Sequence, residues 1–554
     1  MTVAEAIARY LVDQGVTDAF GIPGGVVIEL LYALEAQDGI TPHLSYHEQA
    51  AGFAACGYAQ VSGKLGVAYA TKGPGFTNLI TAIADAYYDS IPVLFLTSHS
   101  QAALPKQART LVDQEMDSCT MVRQITKYAC RIDTLAELAP AMQKACHAAQ
   151  NGRKGPVFLD IKAGLFKQEM HEIPPASPEI LPDTAARARD IGRLIQSSKR
   201  PLMLIGDGIN QAGVQDLFNQ WLAQVRIPVV SSRYAHNVVK DKSLYFGYVG
   251  SHGIRYANYA LAKADCVLAL GNRLAFPEKS TSYSPIVKQT TIVRCEVDEA
   301  EFERHTTLTK NYHTHLEHLI QTLLREDSRR GEHEKWIKTC GDLRSALHDY
   351  DCPKVVTDIE RILVQLPRDI ALVCDVGNNE FWVSRACVHV GVTNRTLYSK
   401  SFGALGSALC KAIGAYYATH RPVAAFIGDQ GMQLNIQELQ YIAQHQLPIT
   451  IILLNNASSG MILDRERAMG HKAPLHTTAE SGYIAPDFAA IAKGYGISHL
   501  FYHGNNAPLP SPPLLLEMNV DKATSLTPSL PTDARIQDMV PQIDARTRML
   551  LDIT

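Results

Sequence analysis

The sequence predicts an α/β protein of several domains, each built on a parallel sheet that helices cover. Short apolar runs alternate with helical patterns along the whole chain, and some of these runs end in a glycine-rich turn. Runs of this uniformly apolar kind are typical of strands buried on both faces, as in parallel sheets. The chain has 554 residues, which is too long for one ordinary domain.

The N-terminal segment begins with a helical pattern and continues as strand, turn and helix. The run LGVAYAT, residues 65–71, is followed by Gly73-Pro74-Gly75, and a helical pattern then covers residues 77–88. Further strands are predicted for PVLFLT at 92–97 and for PVFLDI at 156–161. Four prolines between residues 168 and 187 indicate a linker after this segment.

Two more α/β segments follow, and a charged stretch at residues 325–335 separates them. The first begins near residue 200. The strands predicted in these two segments are DCVLALG at 265–271, TIVRCEV at 291–297, IALVCDV at 370–376, VAAFI at 423–427 and ITIILL at 449–454.

Composition excludes several classes of protein. The 52 basic and 55 acidic residues give a net charge of −3 without a dense basic run, so no nucleic-acid partner is expected. Hydrophobic residues make up 46%, but no apolar stretch is long enough to span a membrane. The eleven cysteines form no CxxC pair, and Cys56, Cys266 and Cys374 lie in apolar stretches, as small buried side chains do. A cytoplasmic location is predicted.

One strand–helix–strand unit near the C-terminus carries two oxygen-bearing side chains. Gly428-Asp429 follows the run VAAFI, a helical pattern covers residues 435–446, and the strand opened by Pro448 ends in Asn455-Asn456. Parallel strands joined in this way can place their carboxyl ends side by side, where such sheets bind ligands. A magnesium ion with a phosphate would suit Asp429, Asn456 and the adjacent helix N-terminus. The alternative is a helix cap at Asp429 and a simple turn at the asparagines.

As a whole, this unit resembles the diphosphate-and-metal motif of thiamine-diphosphate enzymes, with Gln430 in place of the usual small residue. The resemblance extends over nearly the whole chain and points to the acetolactate synthase group, although not to a housekeeping acetolactate synthase. The stretches that carry it are GDQGMQLNIQELQYIAQHQLPITIILLNN, GVTDAFGIPGG, HEQAAGFAACGYAQVSGKLGVAYATKGPGFTNLITAIADAYYDSIPV, HGIRYANYALAKADCVLALGNR, PDFAAIAKGYG and LLLEMNVDK.

The resemblance implies three doubly wound parallel-sheet domains. They would be a pyrimidine-binding domain at 1–166, a central domain at 185–326, and a domain at 350–554 that binds diphosphate and metal. In this family the pyrimidine domain of one subunit faces the diphosphate domain of another. A homodimer or homotetramer with active sites at the subunit interface is therefore expected.

The resemblance also assigns catalytic roles. Glu48 matches the glutamate that hydrogen-bonds N1′ of the cofactor's aminopyrimidine and promotes its imino form, a role that requires a carboxyl group. The alternative is a first-turn glutamate that complements the helix dipole. Gln114 matches a glutamine that approaches the covalent intermediate.

Thiamine diphosphate and Mg²⁺ are the implied cofactors. Asp429 and Asn456 would coordinate the metal through their side chains, and Ser458 through its backbone carbonyl. Leu405 matches the apolar residue that keeps the cofactor bent, although an ordinary core leucine is the alternative. The remaining residues predicted to contact the cofactor are Gly73, Pro74, Gly75, Gly428, Gln430, Gly431, Gly460 and Met461.

Several positions depart from the synthases where those enzymes shape the acceptor pocket. Asp113 and Arg465 replace aromatic residues, Lys72 replaces a serine and Phe76 a small residue. Charged groups favour a hydroxylated, phosphorylated or nucleotide-linked acceptor over a small ketoacid. The alternative is that Arg465, with Arg467, lies on a solvated helix face. The predicted pocket residues are Gly24, Lys72, Phe76, His99, Asp113 and Arg465.

FAD is left open. Gly271-Asn272-Arg273 keeps the arginine of the synthases' central domain but lacks the two acids that follow it, and Gly206-Asp207-Gly208 is only a partial dinucleotide fingerprint.

The predicted function is a carboligase. It would decarboxylate a pyruvate-like 2-ketoacid and transfer the acyl carbanion to a carbonyl acceptor, and both substrates would be small molecules. The alternatives are a lyase or hydrolase of C–C bonds, a decarboxylase, a flavin-linked 2-ketoacid oxidase, and a degenerate binding protein. The intact Glu48, Asp429 and Asn456 argue against the last of these.

Overall fold

A computed structural model describes residues 1–100, 113–175, 184–275, 290–303, 309–326, 333–504, 508–532 and 534–553. Within these ranges eighteen strands form three sheets of six, and every pair of neighbouring strands is parallel. The predicted α/β class, with three parallel sheets covered by helices, is confirmed. The proposed domain boundaries stay a prediction.

The strands are β1 (Asp18–Gly21), β2 (Thr41–Leu44), β3 (Gly66–Tyr69), β4 (Val93–His99), β5 (Tyr128–Ile132), β6 (Val157–Lys162), β7 (Pro201–Ile205), β8 (Val229–Ser231), β9 (Tyr245–Tyr248), β10 (Cys266–Leu270), β11 (Thr291–Glu296), β12 (Thr309–His313), β13 (Ala371–Cys374), β14 (Thr396–Leu397), β15 (Val423–Gly428), β16 (Ile449–Asn455), β17 (Ser498–Phe501) and β18 (Leu514–Asn519).

The α-helices within the described ranges are Val3–Asp13, Ile28–Ala36, Glu48–Ser62, Pro74–Asp89, Ser118–Val122, Leu135–Gln150, Ala185–Ser197, Gly208–Gln211, Gln215–Val225, Arg255–Lys263, Leu316–Arg325, Glu334–Leu347, Lys354–Leu363, Asn378–Val390, Ala408–Thr419, Asp429–Leu434, Glu438–Gln444, Gly460–Ala468, Phe488–Tyr495 and Ala545–Ile553.

The first sheet has the strand order β2-β1-β3-β4-β6-β5. The strands predicted at 65–71, 92–97 and 156–161 are confirmed as β3, β4 and β6, and β3 and β4 are buried along their whole length. The helix predicted from residue 77 begins earlier, at Pro74. Proline suits the first helical position, because its fixed φ is already helical and its missing N–H would have had no partner there.

The third sheet, β14-β13-β15-β16-β18-β17, repeats the strand order of the first. The helix predicted over 435–446 is wrong in its bounds, because one helix begins at Asp429 and ends at Leu434 and another begins at Glu438. Between them, the Asn435 side chain donates to the Gly406 carbonyl at 2.9 Å. The backbone of Asn435, which makes this hydrogen bond, has a conformation outside the helical region.

The second sheet has the order β12-β11-β10-β7-β8-β9, in which strand order reverses between β7 and β10. Gly206 and Gly271 follow those two strands. A Cβ on Gly206 would collide with the Gly271 carbonyl oxygen. Close backbone packing therefore explains Gly206. Its presence is not an independent sign of dinucleotide binding, although doubly wound sheets do bind dinucleotides at such a reversal.

The chain divides into two compact units: residues 1–179, 366–380 and 395–522, which contain the first and third sheets, and residues 180–365, 381–394 and 523–554, which contain the second. Within the first unit, helix Glu48–Ser62 packs closely against helix Ala408–Thr419. A Cβ on Gly57 would collide with the Lys411 backbone. The Lys411 ammonium forms a fully buried ion pair with Asp85 at 2.8 Å.

Cys56, Cys266 and Cys374 are buried, as predicted, and all eleven cysteines are free thiols. Among the helices of the described ranges, none is both long enough and apolar enough to cross a bilayer.

Candidate cofactor site

The first and third sheets both reverse their strand order beside their first strand, between β1 and β3 and between β13 and β15. Ligands bind at such reversals, outside the carboxyl ends of the strands. The loops after β1 and β3 carry Gly24 and residues 72–75, and Asp429 directly follows β15. Both sheets thus place predicted cofactor residues at the expected edge.

Glu48 is the first residue of helix Glu48–Ser62, and the His47 side chain caps that helix by accepting from the Gln49 N–H at 3.1 Å. The Glu48 carboxylate accepts from the Asn78 side chain at 2.9 Å. Its other oxygen would lie 3.3 Å from a Cβ on Gly75. Glu48 and Gly75, both predicted, therefore lie together, and Asn78 joins them.

The turn before helix Pro74–Asp89 also brings predicted residues together. Gly73 has φ of +64°, which glycine adopts readily, and a Cβ there would lie 2.6 Å from the Gln114 Cβ. Gly24 approaches Thr71 on the same edge, since a Cβ on Gly24 would lie 2.5 Å from the Thr71 Cβ. Gln114 is exposed in the single chain and has a positive φ of 63°.

Lys72 lines a small cavity of about 10 Å³ beside Gly73, which has room for about one water molecule. Its ammonium donates to the Ser100 hydroxyl at 2.8 Å and to the buried Glu115 carboxylate at 3.1 Å. Across the cavity, His99 hydrogen-bonds Asp133 at 2.9 Å. The residues that line this cavity are Lys72, Gly73, Phe76, Thr97, His99, Glu115, Met116, Ser118 and Asp160.

Phe76 lines this cavity but belongs mainly to the core. Its side chain is fully buried, and its ring lies 5.2 Å from that of Phe158.

Asp429 is the first residue of helix Asp429–Leu434 and is buried. The Tyr483 hydroxyl donates to its carboxylate at 2.7 Å. Burial raises the pKa of Asp429, while the Tyr483 hydroxyl and the nearby backbone N–H groups of Asn456 and Ser458 lower it again in part. The three predicted metal ligands therefore lie close together.

Asn456 and Ser458 are held by a tight turn after β16, in which the Ser458 N–H donates to the Asn456 side chain at 3.2 Å. Ser458 Oγ is buried and has no hydrogen-bond partner within the described ranges. A Cβ on Gly460 would lie 2.5 Å from the Asn456 amide nitrogen. By contrast, a Cβ on Gly428 would meet no atom within 4 Å, so there is space at the end of β15.

The remaining predicted residues differ in their surroundings. Gln430 accepts from the Ser459 hydroxyl at 2.8 Å. Leu405 and Met461 are half-buried, while Asp113 and Arg465 are exposed in the single chain. Gly431 packs closely against the Asp375 carboxylate. Burial raises the pKa of Asp375 to about 6, and Gly406 donates a backbone N–H to it at 2.9 Å.

Three residues escaped the sequence reasoning. Asn78 and Tyr483 hydrogen-bond the two key carboxylates from 30 and 54 residues away, and no local pattern marks them. Glu438 was noted only as part of the motif. It is buried, and it accepts the Tyr46 N–H at 2.9 Å, directly before helix Glu48–Ser62. Burial raises its pKa to about 7.

These residues fit thiamine diphosphate with a magnesium ion. A buried carboxylate, an amide oxygen and a serine with an unpaired hydroxyl meet beside a helix N-terminus and open space, and these are hard oxygen donors of the kind that Mg²⁺ takes. Asp429, Asn456 and Ser458 would hold the metal and diphosphate, and Glu48 would meet the pyrimidine. Within the described ranges the Glu48 carboxylate hydrogen-bonds Asn78 alone, so no hydrogen bond links it to the Asp429 cluster.

Comparison with known proteins agrees with this geometry. Residues 1–121 match the N-terminal TPP binding domain of thiamine pyrophosphate enzymes, residues 188–323 their central domain, and residues 375–508 their C-terminal TPP binding domain. The acetolactate synthase isozyme 1 large subunit of Escherichia coli (strain K12) is 30% identical over 97% of both chains. The acetolactate synthase large subunit of Lactococcus lactis is 29% identical over 97% of this chain and 96% of its own.

The fold and the two clusters together define a thiamine pyrophosphate enzyme, in which the cofactor is thiamine diphosphate. The chain belongs to this family, within the acetolactate synthase group.

Proposed function

We propose that the protein is a carboligase that decarboxylates a pyruvate-like 2-ketoacid and transfers the acyl carbanion to a carbonyl acceptor. The cofactor's thiazolium, when bound, serves as the electron sink for this chemistry. The observation that carries the proposal is that Glu48 and the Asp429 cluster are both intact in a chain that aligns from end to end with acetolactate synthases. Glu48 would exchange a proton with the pyrimidine, while Asp429 and Asn456 would hold the metal.

The acceptor is proposed to be more polar than a second 2-ketoacid. Lys72, directly before Gly73, brings an ammonium to the cavity beside the glycine turn, and Glu115 and His99 add further polar groups. Hydroxyl, phosphate or nucleotide groups of an acceptor could form hydrogen bonds to these side chains that a short apolar chain could not.

Product analysis tests both proposals. Pyruvate is supplied alone and then with aldehydes, 2-ketoacids, keto-sugars and nucleotide-linked keto-sugars, and CO₂ release and product mass are measured. Acceptor-dependent C–C bond formation supports the carboligase. Cleavage of a diketone without ligation would instead support the lyase, and acetate formation with reduction of an electron acceptor would support the oxidase.

A Lys72→Ser variant tests the acceptor proposal separately. It should keep acceptor-independent CO₂ release but shift the products toward those of a second 2-ketoacid. Lys64→Ser, at an exposed lysine in the same domain, is the matched control and should leave the product ratio unchanged. Equal product ratios in wild type and Lys72→Ser would refute a role for Lys72 in acceptor choice.

We further propose a homodimer or homotetramer in the cytoplasm. The family resemblance supports the shared active site, and eleven free cysteines suit a reducing compartment. We propose FAD binding only on the resemblance of the central domain. The absorption of any flavin released when the purified protein is denatured shows whether FAD is bound.

A further inference from the structure

Three side chains of the kinds that bind metals meet in the second unit. They are His348, Cys352 and His389, and one ligand atom of each lies within 4.8 Å of the others. His348 begins the short 3₁₀ helix His348–Asp351, and His389 lies near the end of helix Asn378–Val390. The cluster thus joins two segments that are far apart in the chain.

The spacing of these atoms suits a tetrahedral ion. Cys352 Sγ lies 3.7 Å from His348 Nε2 and 3.9 Å from His389 Nδ1. In a tetrahedral zinc site with ordinary Zn–S and Zn–N bonds, sulfur and nitrogen ligands are about 3.6 Å apart. Both sulfur–nitrogen distances are therefore within a few tenths of an ångström of the value for a zinc site, and the two imidazole nitrogens lie within 4.8 Å of each other.

The surroundings favour a cation. Glu360 accepts a hydrogen bond from His389 Nδ1 at 2.7 Å, and the Asp349 carboxylate lies near His348 and Cys352. The Asp351 carboxylate is ion-paired with Arg255, and Arg385 is the cation near Cys352. The His389 side chain is only 3% exposed, and its Nε2 is buried without a hydrogen-bond partner in the described part of the chain. A metal ion bound to His389 Nδ1 would take the place of the proton that His389 shares with Glu360. The negatively charged Glu360 carboxylate would then lie beside the ion.

Cys352 must lose its thiol proton when an ion binds, as cysteine ligands of metals do.

We propose that His348, Cys352 and His389 form a structural site for a zinc-class ion. Two imidazoles and a thiolate are ligands that zinc accepts and magnesium does not. The bound ion would tie the turn after helix Glu334–Leu347 to helix Asn378–Val390 and so stabilise the second unit.

Cobalt titration of the full-length protein, stripped of metal and thiamine diphosphate, tests this. Wild type should show a thiolate-to-cobalt charge-transfer band that saturates near one equivalent per chain and is displaced by Zn²⁺. The proposed magnesium site has oxygen ligands only, so it cannot produce that band. Absence of the band in wild type would overturn the proposal.

Variants locate the site. Cys352→Ser should abolish the band, whereas Cys130→Ser, which removes another partly buried cysteine in the other unit, should retain it. Equal bands in both would overturn the assignment. If Cys352→Ser does not fold, Glu360→Gln tests the site instead.

Loss of a group that adjoins a metal ligand typically weakens metal binding about 10–100-fold. Cobalt affinity equal to that of wild type in both Glu360→Gln and His389→Gln would refute the site.

Discussion

At the scale of single residues, the two key carboxylates have different surroundings. Asp429 is buried, and its carboxylate accepts a hydrogen bond from the Tyr483 hydroxyl and has the backbone N–H groups of Asn456 and Ser458 nearby. Glu48 is half-buried and has one side-chain donor, Asn78. An enclosed carboxylate suits a permanent charge that holds a metal, while a more open one suits proton exchange with a ligand.

We predict that Asp429→Ala loses retention of thiamine diphosphate. Loss of groups around metal ligands typically weakens metal affinity about 10–100-fold, so removal of a charged ligand should cost more than about 100-fold. Asn456→Ala should cost less, because it removes a neutral ligand. Calorimetric titration with thiamine diphosphate and Mg²⁺ measures both. Asp487→Ala, which removes the N-cap of helix Phe488–Tyr495, is the control. Wild-type affinity in Asp429→Ala would refute the metal assignment.

Glu48→Gln should slow activation of the cofactor and leave its binding nearly unchanged. Glutamine keeps the size of the side chain but cannot transfer a proton, and general acid–base groups typically contribute about 10²–10⁴-fold to rate. We expect kcat to fall by about that factor. Exchange of the cofactor's C2 proton with deuterated water, followed by acid quench and NMR, reports the step directly.

Glu29→Gln is the matched control for this prediction, because Glu29 also lies in the first turn of a helix in the same domain. It should exchange the C2 proton at the wild-type rate. Exchange at the wild-type rate in Glu48→Gln as well would leave Glu48 with only the helix-dipole role.

At the scale of elements, the segment that leads into helix Glu48–Ser62 is hydrogen-bonded to a buried acidic side chain, Glu438. The Glu438 carboxylate accepts the Tyr46 N–H, and Asn435 donates to Gln49 at 3.3 Å. Glu438 begins helix Glu438–Gln444, so the interruption of the helix at Asn435 is what brings both side chains beside the helix that carries Glu48. A continuous helix would have turned these residues elsewhere.

This acid predicts a pH dependence of stability. Burial raises the pKa of Glu438 from 4.5 to about 7, so in that window the folded state binds a proton that the unfolded state has lost. The free energy of unfolding should therefore fall as pH rises from 5 to 8, by at most about 3 kcal/mol from this group.

Glu438→Gln should remove that contribution and flatten the pH profile of urea denaturation between pH 5 and 8. Glu317→Gln, on an exposed helix surface, is the control and should follow wild type. A Glu438→Gln profile parallel to that of wild type would show that the buried acid does not titrate in this window.

At the scale of the whole molecule, two sheets with the same strand order each present part of a cofactor site. One carries the Glu48 cluster and the other the Asp429 cluster, and in the described chain no hydrogen bond from the Glu48 carboxylate reaches the second cluster. The proposal that each active site combines the two clusters from different subunits rests on the family resemblance, in which the pyrimidine domain of one subunit faces the diphosphate domain of another.

Complementation tests that arrangement. Glu48→Gln and Asp429→Ala proteins, each inactive alone, should regain activity when mixed under conditions that allow subunit exchange. Each mixed dimer would hold one site free of both substitutions, so equal mixing should restore roughly a quarter of the wild-type sites. Mass spectrometry of the intact oligomers verifies exchange. No recovery after verified exchange would contradict the shared site.

The sequence by itself determined the fold class, the positions of eight of the eighteen described strands and the residues of the metal motif. Strands such as VAAFI and ITIILL are predicted by their local apolar runs. Asp429 and Asn456 belong to one strand–helix–strand unit, so their spacing is also a local pattern. The break at the buried Asn435 is not predicted, because helical periodicity continues through it and only the bond to the distant Gly406 carbonyl accounts for it.

Tertiary structure alone decided which distant residues meet. Several contacts join positions whose separation in the chain follows no pattern. They are the pairing of β13 with β15, the hydrogen bonds of Asn78 to Glu48 and of Tyr483 to Asp429, and the cluster of His348 with His389. Periodicity reports which face of an element is buried, but the partner on that face is chosen by packing of the whole chain. The chemistry of the motif could therefore be predicted from the sequence. The groups that hydrogen-bond the Glu48 and Asp429 carboxylates could be identified only from the folded structure.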